Sequence, residues 1–273
     1  LITQPILPGA AKAILTLDNG ETINLNKETA DALRKIEGTH IQVDSTTLNY
    51  RLAQSTSARP KPVYNKVEIP RGGEYALVLS DGTKVHLNSM SSLRFPVAFT
   101  TGKREVELQG EAYFEVSKTG QPFIVNANGI QVEVLGTTFN ISAYPDEEYQ
   151  TTLVNGSVKV SAEKGESLIL KPSQQATIAL GSNSIQVRTV DTSFYTSWVK
   201  GKINFKDQRL EDIMKTLSRW YDMNVVYENE KLKNIRFGCN LNRYEEITPF
   251  VKLLEKTEEV HVKIEGNTIT FHN

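Results

Sequence analysis

From the N-terminus to about residue 190, short runs of alternating apolar and polar residues are separated by turn-forming residues, the pattern of half-buried β-strands. Lys12 to Leu17 leads through Asp18-Asn19-Gly20 into Thr22 to Asn26, and Tyr75 to Leu79 leads through Ser80-Asp81-Gly82 into Lys84 to Asn88. Asn-Gly and Asp-Gly accept the positive φ that tight turns require, so each stretch predicts a hairpin. The two are alike at an offset of 62 residues: Pro8, Leu15, Leu17, Gly20, Leu25 and Asn26 recur as Pro70, Leu77, Leu79, Gly82, Leu87 and Asn88.

The alternation continues through Glu105 to Leu108, with Gly110 separating it from Tyr113 to Val116, and through Phe123 to Val125, Ile130 to Leu135 and Thr138 to Ala143. Thr152 to Val154 passes across Asn155-Gly156 into Val158 to Val160, and Leu168 to Leu170, Ala176 to Leu180 and Ile185 to Val190 close the series. Strands this short and this regularly interrupted predict an antiparallel sandwich or rolled sheet. Lys27 to Ile36 is the one helical candidate here, and Ser55 to Pro70, with Pro60, Pro62 and Pro70, reads as an irregular connection.

After Thr196 the period changes. Leu210, Ile213, Met214, Leu217, Trp220 and Tyr221 fall on one stripe of a helix, with Asp207 as its expected cap and Glu211 and Asp212 in its first turn. Thr248-Pro249 predicts the start of a second helix presenting Phe250, Val251, Leu253 and Leu254. Strands are expected at Ile203 to Phe205, Asn224 to Tyr227, Ile235 to Leu241, Val260 to Ile264 and Thr268 to Phe271. The fold class is thus mainly β: a β domain over residues 1–195, then a small α+β domain of two β-α-β halves over 196–273.

Composition narrows the function. The formal net charge of −1 is spread evenly, so neither domain offers the basic face that nucleic-acid binding by counterion release requires. No apolar stretch is long enough to cross a bilayer as a helix. The chain opens at Leu1 without Met, and an anchor or signal upstream is expected to have been removed. Cys239 is the single cysteine and reads as a small hydrophobe.

Catalysis needs placed groups, and the sequence predicts none: no catalytic, cofactor-binding or metal-ligating residues. His40, His86, His261 and His272 form no ligand spacing, and His86 and His261 alternate with apolar neighbours as solvent-facing strand residues. Asp146-Glu147-Glu148 reads as a solvated turn. Glu111 and Glu115 could imitate a glycosidase pair, yet Glu111 fits a structural hydrogen-bonding role near a turn better. Trp220 and Tyr221 end an apolar stripe and so belong to a core, whereas Trp198 lies in a polar stretch and is a candidate contact residue.

Several strings converge on one family. LVLSDGTKVHLNSMSSLRFP at 77–96, GKREVELQGEAYFEVSKTGQPFIV at 102–125, VLGTTFNISAY at 134–144 and TTLVNGSVKV at 151–160 resemble, in that order, the FecR domain of membrane-anchored anti-sigma regulators. PGAAKAILTLDNGETINL at 8–25 and WVKGKINFKDQRLEDIMKTLSRWYDMNVVYEN at 198–229 extend the resemblance to the longer form of Bacteroidetes members. Val199-Lys200-Gly201 departs from a simpler Trp-Lys-x-Gly pattern.

The resemblance implies an all-β periplasmic FecR domain and a C-terminal domain similar to the secretin-and-TonB N-terminal signalling fold. It implies a sigma-binding cytoplasmic segment and a transmembrane helix before Leu1, and partners in an outer-membrane TonB-dependent transducer and an extracytoplasmic-function sigma factor. Contact is expected by strand addition at Thr268, Ile269, Thr270 and Phe271, with Trp198 as a further contact; the other reading of that strand is a capping strand packed within its own sheet. The alternative is a periplasmic carbohydrate- or surface-binding β module, which would need exposed aromatic platforms, whereas Phe95, Phe99, Phe114, Phe123 and Phe139 lie in strand-like or apolar runs.

Overall fold

A computed structural model describes residues 5–25, 42–43, 46–50, 62–100, 102–163 and 166–273. The helix expected at Lys27 to Ile36 lies outside these residues. Two compact units result: Ala11–Thr192, and Ser193–Asn273 together with the N-terminal residues up to Ala10. The described residues 5–10 therefore go with the C-terminal unit and not with the β domain assigned to 1–195. Ile6 explains it, being buried among the C-terminal unit's apolar residues and accepting a hydrogen bond from the Ile247 N–H at 3.2 Å.

The β unit is a sandwich whose two sheets share one long strand, Arg104–Glu115. In the first sheet the strand order is Thr22–Leu25, Ala13–Thr16, Tyr64–Glu68, Ser92–Pro96, the first half of the long strand, Phe123–Ala127, Ile130–Val134, Val158–Ser161 and Ser167–Leu170. In the second it is Gln42–Val43, Thr47–Asn49, Gly73–Val78, Lys84–Leu87, the second half of the long strand, Thr138–Ala143, Tyr149–Asn155, Gln174–Ile178 and Gln186–Thr189. Pairing is antiparallel except for the long strand with Phe123–Ala127 and Thr47–Asn49 with Gly73–Val78, so the sheets are mixed. Inward positions of both sheets merge in one core, where the Phe114 and Phe139 rings stack at 5.0 Å.

Gly110, expected to separate two strands, instead lets one strand pass from sheet to sheet. Its φ is +81°, a turn within the strand that bends the chain toward the second sheet. Tyr64–Glu68, expected as irregular connection, is a strand paired on both sides, against Ala13–Thr16 and Ser92–Pro96. The twin hairpins are equivalent to the residue: Ala13 pairs with Leu25 and Leu15 with Ile23, as Tyr75 pairs with Leu87 and Leu77 with Val85. Gly20 and Gly82 both have φ +85°, and the Lys12 N–H donates to the carbonyl of Glu74, its counterpart at that offset.

In the C-terminal unit, Lys202–Arg209 pairs with Arg236–Asn242, and a separate sheet has the order Asn224–Tyr227, Thr268–His272, His261–Glu265. Helix α1 (Leu210–Trp220) buries Leu210, Ile213, Met214, Leu217 and Trp220 of the expected stripe, with Tyr221 buried just past its end, and α2 (Thr248–Glu255) buries Phe250, Val251 and Leu254 but leaves Leu253 exposed. Asp207 does not cap α1. It sits at φ +49° in a bulge of Lys202–Arg209 and accepts a 2.9 Å bond from Arg236 Nε, while Arg209 occupies the cap position.

Candidate functional site

Among the described residues, no three His, Cys, Asp or Glu side chains gather where they could hold a metal ion. His86 is half-buried, not solvent-facing, because its ring meets Tyr113 edge-on at 6.3 Å across paired strands; that burial pushes its pKa down. Glu111 accepts from Asn88 Nδ2 at 2.7 Å and Asn140 Nδ2 at 3.0 Å, and its N–H donates to Ser91 Oγ at 2.8 Å. With two amides sharing one carboxylate, Glu111 ties the 88–91 turn to Thr138–Ala143. Glu115, four residues on, is exposed and lies 3.9 Å from Lys84. Asp146 and Glu148 are exposed in a turn, as expected.

Sequence reasoning missed the principal buried charge of the β unit. Asp81, in the second hairpin turn, accepts from the Thr83 N–H at 2.9 Å, Thr83 Oγ1 at 2.7 Å and Arg104 Nη1 at 2.6 Å. Arg104 is 1% exposed and also donates to the carbonyls of Ser117 and Gln121. A buried pair with this many hydrogen bonds fixes where strands and turns meet.

The C-terminal unit holds a second structural centre. Arg243 is buried, with its guanidinium 3.7 Å from the Trp220 ring centroid and 5.4 Å from that of Trp198, and its carbonyl accepts from Trp220 Nε1 at 2.6 Å. Desolvated stacking of this kind favours Arg. Trp198, expected as a contact residue, is 8% exposed and spends its face on Arg243. Arg243 itself carried no sequence signal, because nothing local separates a stacked arginine from a solvated one.

Thr268–His272 is likewise not an edge. It is the central strand, parallel to Asn224–Tyr227 and antiparallel to His261–Glu265, with Ile269 and Phe271 fully buried. The parallel pairing with Asn224–Tyr227 fills the side that the sequence left open, and the chain between these two strands runs through Arg236–Asn242, α2 and His261–Glu265. The open backbone lies elsewhere. Arg236–Asn242 pairs only with Lys202–Arg209 among the described strands, and every second side chain, Phe237, Cys239 and Leu241, is only partly buried against the core. A seven-residue edge with one charged residue is the form that accepts an added strand.

Cys239 on that edge has its thiol pushed up to about 11 by burial. It therefore stays protonated below pH 9, and alkylation by iodoacetamide at pH 8 should run about a hundredfold slower than for free cysteine. Equal rates would show that the edge is more open than the structure has it.

The comparisons agree with these units. The family model described as FecR protein matches residues 65–159, inside the β unit, and that described as FecR, C-terminal matches 202–271, inside the C-terminal unit. Together they span more than half of the chain. Two crystal structures from Parabacteroides distasonis ATCC 8503, each of a protein proposed to be an anti-sigma factor, are similar to it. The first, at 1.65 Å resolution, is 26% identical with a TM-score of 0.70, over 76% of this chain and 98% of that one. The second, at 2.50 Å, is 25% identical with a TM-score of 0.70, over 77% and 99%. No curated protein matches the chain.

Proposed function

The chain belongs to the FecR family, and from that premise we propose that it is the periplasmic part of an anti-sigma regulator, anchored in the inner membrane by a segment upstream of Leu1. It works by protein contact and makes no bonds. The periplasmic signalling domain of an outer-membrane TonB-dependent transducer engages the C-terminal unit, and the signal reaches an extracytoplasmic-function sigma factor across the membrane. The observation that carries this reading is the order and placement of the two family matches, each inside one structural unit.

The likeness to proteins proposed as anti-sigma factors supports it. So does the burial of Phe95, Phe114, Phe123 and Phe139, which takes four of the five phenylalanines named above off the surface and leaves Phe99 half-buried. A regulator of this kind transmits through differential binding to two states, and an open strand edge supplies main-chain hydrogen bonds for that. We place the transducer contact at Arg236–Asn242.

The test is capture of the transducer's signalling domain by the chain, followed by amide hydrogen exchange with and without it. Binding with added protection across residues 236–242 is the expected result. Capture with protection confined to other strands would overturn the placement at this edge, and failure to capture any transducer domain would overturn the relay.

A further inference from the structure

The outer face of the three-stranded sheet carries two histidines side by side. Gly266-Asn267 closes the hairpin so that Glu265 pairs with Thr268, and the same register, read four residues outward on each strand, sets His261 opposite His272. Their ring centroids are 5.6 Å apart and the rings are tilted by 35°. Val262, Ile264, Ile269 and Phe271 point into the core, so the alternation of each strand turns both imidazoles away from it.

That separation has a chemical meaning. An imidazole nitrogen sits about 2.0–2.1 Å from a bound zinc ion. Adding about 1.1 Å from nitrogen to ring centroid, two imidazoles on one ion have centroids about 5–6 Å apart for ligand angles from tetrahedral to about 130°. The rings already stand at that distance. His272 is also oriented: its Nδ1 lies 3.3 Å from the Asn273 carbonyl oxygen, which can only accept, and the neutral tautomer that donates there has its Nε2 lone pair free. A ring N–H given to a backbone carbonyl is the usual outer support of a histidine that ligates through its other nitrogen.

The surrounding charges suit a cation. Glu228 donates its N–H to the Phe271 carbonyl at 2.9 Å, and since Tyr227 and Phe271 stack on the core face, Glu228 falls in line with His272 and His261 on the outer one. The nearby ammonium of Lys263 is held by Glu265 at 2.9 Å. We propose that His261 and His272 form a surface site for one borderline divalent ion of the zinc or copper(II) class, bound through two imidazoles and completed by water, with Glu228 lending negative charge.

Isothermal titration of the full chain with zinc chloride tests it, alongside His261→Gln and His272→Gln. One ion per chain is expected, with affinity at least about tenfold weaker in each variant. Zinc should also raise the thermal transition followed by tryptophan fluorescence, since Trp198 and Trp220 both lie in the C-terminal unit, and should do so only in the unsubstituted chain. Unaltered binding in the two variants, or no binding by the unsubstituted chain, would overturn the site.

Discussion

Asp81→Ala is expected to cost the β unit about 3–5 kcal/mol, because it strands the Arg104 guanidinium in a place where Arg104 is 1% exposed. The substitution also removes the acceptor for both the Thr83 N–H and its hydroxyl. The Ser117 and Gln121 carbonyls still hold the guanidinium, but its charge then has no counter-ion. Asp81→Asn separates the two effects: it keeps an acceptor for the turn and loses the charge, so most of the loss should remain. Urea unfolding followed by far-UV circular dichroism should show the midpoint of the β unit falling by about 1–2 M. A midpoint unchanged within error would mean that the pair contributes nothing net, as many exposed ion pairs do.

Asp81 also shows what the sequence could and could not convey. Its place in an Asp-Gly hairpin turn was legible, and so was its equivalence to Asn19 in the twin hairpin, where Asn19 Oδ1 accepts from the Glu21 N–H at 2.9 Å as Asp81 Oδ1 does from Thr83. Its ionic role was not, since Arg104 lies 23 residues away and only the packing of two sheets brings them together. Local patterns carry local facts. The α1 stripe, the twin hairpins and the change of period near residue 195 are all local and were readable.

Failures came where a distant element decides. Tyr64–Glu68 looked like linker because Pro60, Pro62 and Pro70 flank it, yet it is paired on both sides by strands far along the chain. Thr268–His272 looked like an edge because it comes last, whereas the side its hairpin partner leaves open is taken by Asn224–Tyr227, a strand from much earlier in the chain. The histidine pair belongs to a third kind. Given the Gly266-Asn267 turn, its register follows by counting, so it was legible but only by asking which residues face each other, not which residues are near in sequence.

Gly110→Ala should be the most damaging single-methyl change in the β unit. A Cβ there would lie 2.4 Å from Ser91 Oγ and 2.8 Å from both the Met90 carbonyl oxygen and the Ser91 Cα. The hydroxyl could rotate away, at the expense of its bond from the Glu111 N–H, but the two backbone atoms cannot move without shifting the 88–91 turn. That turn is already constrained: Met90 has φ +58°, and Tyr144 Oη donates to the Ser89 carbonyl. Gly20 is the built-in control, with φ +85° but no atom within 4 Å of its would-be Cβ. Gly20→Ala should therefore cost only the left-handed backbone term, about 1–2 kcal/mol. Gly110→Ala adds overlap with fixed backbone at the point where one strand leaves one sheet for the other, and its cost should exceed that of Gly20→Ala by about 2 kcal/mol or more. Both variants are read in the same urea titration, so the difference between midpoints isolates the steric part. Equal midpoints would show that the crossing tolerates a side chain, and that the long strand is held between its sheets by pairing alone.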